Sequence, residues 1–332
     1  MIIKCVKLVN FRNHSEYILK CDDETSLILG ENGCGKTSVL EAIYILLCGK
    51  SFRAVDKEIL KRGKDFYRIE VEYVNGEKTL ATFDGEKKQF VVADKKALRL
   101  PKKNKYPVVL FLPSDLNLIS NSPSARRDYF DRIFSQLSEK YNNALLKYNK
   151  ALKQRNELLK KEDITSVEMF SWNILLAKYG YELMRLREEF IGDINKQITG
   201  VYNSIAENND EVELNISTDV CGDENFILKR LEQNFERDRI LGHTSFGVHK
   251  DDYLFLFNNK LANGSASRGE TRSVILALKF IEAKLIKEKT GFVPVVLLDD
   301  VFSELDEKRQ RCLVKNFKDN QVIITSVKGV SI

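Results

Sequence analysis

The run ILGENGCGKTSVLEAIYILL, residues 28–47, constrains this chain more than any other stretch. Within it, Gly30-x4-Gly35-Lys36-Thr37 meets the P-loop pattern at every fixed position. The apolar segment 26–29 precedes it as a strand, and an apolar helical stretch follows. Glycines let backbone N–H groups curl around phosphate oxygens, and the helix N-terminus adds its positive dipole end. The expected ligand is ATP, held by Gly30, Glu31, Asn32, Gly33, Cys34, Gly35, Lys36, Thr37 and Ser38. Lys36 is expected at the β- and γ-phosphates, and the Thr37 hydroxyl at a Mg²⁺ ion.

The second half of such a site stands near the other end of the sequence, in VPVVLLDD. An uninterrupted apolar run reads as a strand buried on both faces. It ends in Asp299, which is expected to join Thr37 as a Mg²⁺ ligand. Asp300 follows. Successive strand residues point to opposite faces, but at a strand end the second acid turns toward the γ-phosphate, where it orients the attacking water. Lys36, Asp299 and Asp300 are therefore the expected catalytic set, with Thr37 and Asp299 on the metal.

Around these motifs the chain changes character twice. The first third alternates apolar and polar residues in short runs (IIKCVKLVNF, SLILG, RIEVEYV, KTLATFDG, KKQFVVAD, PVVLFL), broken by Asn75-Gly76 and Asp84-Gly85. These are strands and hairpin turns. Residues 124–161 then lack Gly and Pro, and Tyr141, Leu145, Tyr148, Leu152 and Leu159 recur at helical steps. Residues 167–206 carry Phe170, Ile174, Ala177, Tyr181, Met184 and Phe190 in the same way. The expectation is two antiparallel helices, each about 55–60 Å long, packed on those faces. Short mixed segments follow residue 207. The chain closes with a helix over 268–287, the Asp299 strand, a helix over 306–317 and the strand QVIITS. Strands alternating with helices imply a parallel sheet completed from both ends of the sequence, with the helical pair inserted.

Composition narrows the function classes. A net charge of +5 permits a polyanionic partner without requiring one. Lys87, Lys88, Lys95, Lys96, Arg99, Lys102, Lys103 and Lys105 form a basic cluster, and Arg53, Lys57, Lys61, Arg62 and Lys64 form a second. Such clusters suit phosphate contacts with DNA without sequence preference, or simply a solvated face. Arg126 and Arg127 fit DNA, ATP or the helical arm equally. His249, Asp251 and Asp252 have metal-ligand chemistry, but with three histidines in the chain a hydrogen-bonding role is the stronger reading. Six scattered cysteines with no CxxC pair indicate reduced thiols. The longest apolar run, 42–48, is too short for a bilayer, so a soluble, cytoplasmic protein with no membrane partner is expected.

Ser267-x-Gly269-Glu270 at a helix start, followed by the Asp299 strand and by Ser303-Glu304-Leu305-Asp306, resembles the signature, Walker B and D-loop of ABC-type ATPases. The resemblance implies an α/β fold, an ABC-type head with a mixed sheet and an inserted α-helical arm. It divides the chain into a head portion 1–122, an arm 123–238 and a second head portion 239–332. It also implies a homodimer, in which Ser267, Gly269 and Glu270 of one copy cap ATP held by the P-loop of the other. A wider set of segments is similar to the RecF family of bacterial recombination mediators: NFRNH, VVLFLPSDLNLI, PSARRDYFD, GVHKDD, SASRGE and LLDDVFSELD, in that order. This resemblance adds Arg12 and Asn13 to the nucleotide site. It implies binding to double-stranded DNA and single-strand/double-strand junctions, work with RecR and RecO, and loading of RecA.

Glu270 stands where many signatures carry Gln, Asp300 replaces the common Glu, and no switch histidine follows VIITS. These departures suit slow hydrolysis, and the RecF resemblance implies that DNA stimulates it. The competing readings are a nucleotide-gated scaffold without significant ATPase activity, a transporter-like ATPase and an SMC-like ATPase. A transporter head has no need of a long helical insertion, and the arm is short for an SMC protein.

Overall fold

A computed structural model describes residues 2–161 and 163–327. Its packing separates two units, one of Met1–Asp115 with Glu282–Ile332 and one of Leu116–Ile281. The resemblance to ABC-type heads draws the boundaries after residues 122 and 238. The packing draws them after Asp115 and Ile281, which groups Ser267, Gly269 and Glu270 with the helices.

In the first unit, six strands form an antiparallel sheet in the order His14–Lys20, Ile3–Phe11, Tyr67–Tyr73, Lys78–Phe83, Lys88–Val92, Lys95–Ala97. Alternation decides its faces. Tyr67, Ile69, Val71 and Tyr73 are buried, while Arg68, Glu70 and Glu72 between them are not. Both expected turns are present, with positive φ at Gly76 and Gly85, and the Asn75 side chain accepts from the Glu77 N–H at 3.1 Å. His14–Lys20 is an edge strand that buries only Leu19, so its sequence carries no alternation to announce it.

A second, parallel sheet runs Thr25–Leu29, Val322–Ser326, Val295–Asp299, Val108–Phe111. Every residue of its last three strands is buried, as expected for apolar runs covered on both faces. The helix Lys36–Cys48 packs against both sheets, and every residue from Lys36 to Leu47 except Thr37 is buried. Truncating a side chain such as Leu46, 0% exposed, is expected to cost about 2–5 kcal/mol. Glycines bound the helix in the left-handed region, Gly35 before it and Gly49 after it, and the Gly49 N–H bonds the Ile45 carbonyl at 2.8 Å. Register places the carboxyl ends of Thr25–Leu29 and Val295–Asp299 on either side of Thr325 in the strand between them. Ligands of open α/β sheets bind at that edge.

The second unit holds Ser166–Ala206, a helix of 41 residues and about 60 Å, as the spacing predicts. Its partner differs from expectation. Instead of one helix over 124–161 there are two, Pro123–Leu137 and Glu139–Leu158. Ser138 stands between them in extended backbone, and its side chain accepts from the Tyr141 N–H at 3.2 Å. A serine able to cap a helix start competes with its own place inside a helix. The buried face agrees with expectation in part. Ala177, Met184 and Phe190 are buried, but Phe170 and Ile174 are exposed, and the seam of the long helix also takes in Met169, Asn173, Leu176, Gly180 and Leu183. The seam admits polar Asn173 because Arg155 of the facing helix donates to it at 2.8 Å. Three antiparallel strands, Val212–Ser217, Asp252–Phe257 and Lys260–Leu261, complete this unit, and the first packs on the long helix. Among the described residues no helix is long and apolar enough to cross a membrane, and all six cysteines are free.

Candidate functional site

The P-loop turn leaves the strand Thr25–Leu29 and enters the helix at Lys36. Gly33 and Gly35 have φ of +84° and +102°, values that L side chains rarely adopt. A Cβ on Gly35 would also lie 2.4 Å from both Asn13 Oδ1 and His14 Nε2. Lys36 is 5% exposed, and its ammonium donates to the carbonyls of Gly30 at 2.8 Å and Glu31 at 3.2 Å. Asp300 Oδ2 lies 3.5 Å from the same nitrogen.

Parallel pairing through Thr325 brings the two halves of the site together. The Thr37 hydroxyl bonds both carboxylate oxygens of Asp299, at 2.8 and 2.9 Å. Thr325, fully buried, donates its hydroxyl to Asp299 at 2.9 Å and accepts from the Asp300 N–H at the same distance. Burial pushes the Asp299 carboxyl above its ordinary range. The hydrogen bonds from Thr37 and Thr325 act against that, and the neighbouring Asp300 acts with it. Asp300 has a left-handed backbone, φ +48°, and its Oδ1 is buried with no hydrogen-bond partner among the described residues. A hydroxyl beside a carboxylate, with another buried carboxylate oxygen unpartnered nearby, fits a hard divalent cation such as Mg²⁺.

Two residues of this neighbourhood carry no motif signal. Glu41, one turn beyond Thr37, is 0% exposed. It accepts a bidentate pair from Arg12 (2.8 and 2.8 Å), a bond from Ser51 Oγ (2.6 Å) and one from Arg53 Nε (3.0 Å). Burial alone would raise this carboxyl; the bonds from Arg12, Arg53 and Ser51 outweigh it and hold the group below its ordinary range. Arg12, which the family resemblance assigns to the nucleotide, is thus fastened to Glu41 and to the carbonyl of Glu58. Asn13 reaches the P-loop itself and donates to the Gly33 carbonyl at 3.3 Å. His14, not singled out by the sequence, bonds the Gly35 carbonyl at 3.1 Å.

In the second unit, Ser267 and Glu270 form a capping box at the start of the helix Arg268–Thr290. The Ser267 N–H donates to Glu270 Oε2 at 2.6 Å, and the Glu270 N–H donates to Ser267 Oγ at 3.3 Å. Gly269 lies within that first turn.

The profile of the AAA ATPase domain family matches residues 1–288. The DNA replication and repair protein RecF of Clostridium perfringens is 36% identical over 98% of this chain and 92% of its own. The chain belongs to the RecF family. A solved structure of the recombination mediator protein RecF with ATP, in the RecFOR pathway, superposes with a TM-score of 0.86 at 28% identity, covering 100% of this chain and 93% of that one. An SMC head bound to the C-winged helix domain of ScpA shares the fold, with a TM-score of 0.56 at 14% identity over 99% of this chain and 90% of that one. The ABC-type head fold thus stands.

In this RecF-family chain the other candidate groups separate by what they touch. His249 is no metal ligand. Its Nδ1 takes a bond from the Tyr148 hydroxyl at 2.8 Å, and its Nε2 donates to the Thr244 carbonyl at 3.1 Å. Burial pulls its pKa down to about 4, so the ring is neutral. Asp251 pairs with Arg187 at 2.7 Å. Arg126 grips Asp252 through two 2.7 Å bonds, and Arg127 donates to the Asp251 carbonyl at 2.7 Å. Both arginines therefore serve the internal packing of the second unit. Among the described residues no three or more His, Cys, Asp and Glu side chains come together as a metal-binding group. Of the basic clusters, Arg53 is bound to Glu41, Lys88 to Asp56 at 2.8 Å, and Lys61 to the Asn13 carbonyl and Ser15 hydroxyl. Lys87, Lys95, Lys96, Arg99, Lys102, Lys103 and Lys105 stay exposed on the edge hairpin and the loop after it.

Proposed function

We propose that this chain binds ATP and Mg²⁺ and uses the nucleotide to join two copies of itself on DNA during repair. The observation that carries the reading is the Thr37–Asp299 pair at 2.8 Å beside Lys36, at the mouth of a turn held open by two positive-φ glycines. The backbone N–H groups from Gly33 to Ser38 receive the phosphates, and Lys36 exchanges the carbonyls of Gly30 and Glu31 for β- and γ-oxygens. Thr37 and Asp299 hold the metal ion, which when bound neutralises charge on the phosphates. Asp300 orients the attacking water. Its shorter side chain and its ion pair with Lys36 at 3.5 Å favour slow hydrolysis, stimulated by DNA.

Ser267, Gly269 and Glu270 of a second copy close over the γ-phosphate, so ATP favours the dimer and ADP does not. DNA is held through phosphates by the exposed lysines of the 87–105 segment, without sequence preference and with single-strand/double-strand junctions as a preferred form. Support for the setting comes from relatives called DNA replication and repair protein RecF, and from a solved RecF–ATP structure assigned to the RecFOR pathway. RecR and RecO are the proposed partners, the loading of RecA the proposed outcome and the cytoplasm the proposed location.

Titration calorimetry tests the site. The native protein is expected to bind ATP, and Lys36→Ala to lose at least about tenfold in affinity, the value of one charge-assisted hydrogen bond. Native affinity in a folded Lys36→Ala protein would remove the site from the P-loop. A second reading, a nucleotide-gated scaffold that does not hydrolyse ATP, is favoured by the Lys36–Asp300 pair. Phosphate release with and without DNA separates the two.

A further inference from the structure

A P-loop offers its N–H groups inward only if its carbonyls are satisfied on the other side. Lys36 serves the carbonyls of Gly30 and Glu31, yet the proposed function requires that same ammonium on phosphate. Groups with no such second duty act on two other carbonyls: Asn13 Nδ2 serves that of Gly33 at 3.3 Å, and His14 Nε2 adds a bond at 3.1 Å to that of Gly35, which also accepts the Ser38 and Val39 N–H groups at 2.9 and 3.3 Å. A carbonyl only accepts, so His14 Nε2 carries the proton. The fit is close: a methyl group on Gly35 would meet both side chains at 2.4 Å.

The turn that carries Asn13 and His14 is itself fixed. Asn10 and Arg12 have φ of +53° and +55°, conformations that need support from their surroundings. Arg12 provides it by its bidentate pair with buried Glu41, its N–H bond to the Ile59 carbonyl at 2.8 Å and its bond to the Glu58 carbonyl at 2.9 Å. Lys61 holds the Asn13 carbonyl at 2.8 Å.

We propose that His14 is a positioning residue for nucleotide binding: it pins the Gly35 carbonyl so that the P-loop keeps its phosphate-binding shape, with Glu41 and Arg12 as the anchor of the turn that delivers it. The proposal rests on the ATP reading above. His14 touches the loop and no phosphate, so it acts on binding and leaves the hydrolytic groups Asp299 and Asp300 untouched.

The test compares His14→Ala with His14→Gln, whose amide N–H reaches a carbonyl as Nε2 does. Calorimetry with ATP and Mg²⁺ gives the affinity, steady-state phosphate release gives KM and kcat, and thermal melting without nucleotide reports the fold. His14→Ala is expected to weaken ATP binding and raise KM about tenfold, with kcat and melting temperature within error, the cost of one lost hydrogen bond between neutral groups. His14→Gln is expected to restore affinity to within about threefold. Unchanged ATP affinity in His14→Ala overturns the proposal, as does an equal loss in His14→Gln, because either outcome removes the hydrogen bond as the cause. Glu41→Gln, which weakens the anchor, is expected to follow His14→Ala; if it unfolds, the histidine pair still decides. A native protein that binds no ATP would instead sink the underlying reading.

Discussion

Thr37 Oγ1 lies 2.8 Å from Asp299 Oδ1 although 262 positions of sequence separate the two residues. Only the parallel pairing of the strands Thr25–Leu29, Val322–Ser326 and Val295–Asp299 brings them together. If this pair holds Mg²⁺, then Thr37→Val and Asp299→Asn should each abolish most of the gain in ATP affinity that Mg²⁺ provides. A loss of at least about 10–100-fold is expected in Mg²⁺ and little change in EDTA, since even indirect partners of a metal ligand have effects of that size. Calorimetry under both conditions reads it. Equal affinity in both variants with Mg²⁺ would move the ion elsewhere.

The second unit depends on a buried ion pair. Arg155 and Asp238 are both 0% exposed and meet at 2.7 Å, and Arg155 also bonds Asn173, Thr244 and the Leu231 carbonyl. Asp238→Ala leaves a buried guanidinium without its counter-charge, so a cost of about 3–5 kcal/mol is expected. Urea unfolding measures it; a shift under about 1 kcal/mol would show that the arginine finds another partner or water.

Acid should weaken the fold through His249. Its folded pKa is depressed to about 4 by burial, against about 6.5 in an unfolded chain. The unfolded state binds the proton first, so this contribution is intact above about pH 6.5 and is lost progressively as pH falls from there toward 4. The expected observation is a urea midpoint that drops between pH 7 and pH 5 in the native protein and drops less in His249→Gln. The amide keeps a donor for the Thr244 carbonyl and an acceptor for Tyr148. An identical slope in both proteins would assign the acid sensitivity to other groups.

DNA affinity should fall steeply with salt, because lysines displace counterions from phosphates. Charge reversal at Lys102, Lys103 and Lys105 should flatten the slope of log affinity against log salt, by up to about 0.9 for each duplex phosphate that is no longer neutralised. Fluorescence anisotropy over a salt series reads it, and an unchanged slope would place the DNA on another surface.

What the sequence discloses of this site follows from where the physics is local. The P-loop, the Lys36–Cys48 helix and the buried strand ending at Asp299 rest on glycine conformation and apolar runs, which neighbouring residues decide. Glu41 is hidden, because a glutamate inside a helix looks like a solvated residue until Arg12, Ser51 and Arg53 converge on it. His14 and Thr325 are hidden for the same reason, since their partners come from other strands and turns. In the arm, helical spacing announces both long helices but not the break at Ser138, where a side-chain cap outweighs continuity. Nor does spacing announce that the buried face runs through Asn173 instead of Ile174, because a buried arginine on the facing helix makes an asparagine the better neighbour.

Light scattering with ATP, with ADP and without nucleotide tests the central claim, that ATP joins two copies of this chain through Ser267. The native protein and Asp300→Asn, which keeps the shape but lacks the carboxylate that orients water, are expected to double in mass with ATP only, and the variant to stay doubled. Ser267→Arg is expected to bind ATP and remain monomeric, because the larger side chain fills the space meant for the γ-phosphate. A Ser267→Arg protein that doubles in mass with ATP as the native protein does would contradict the claim.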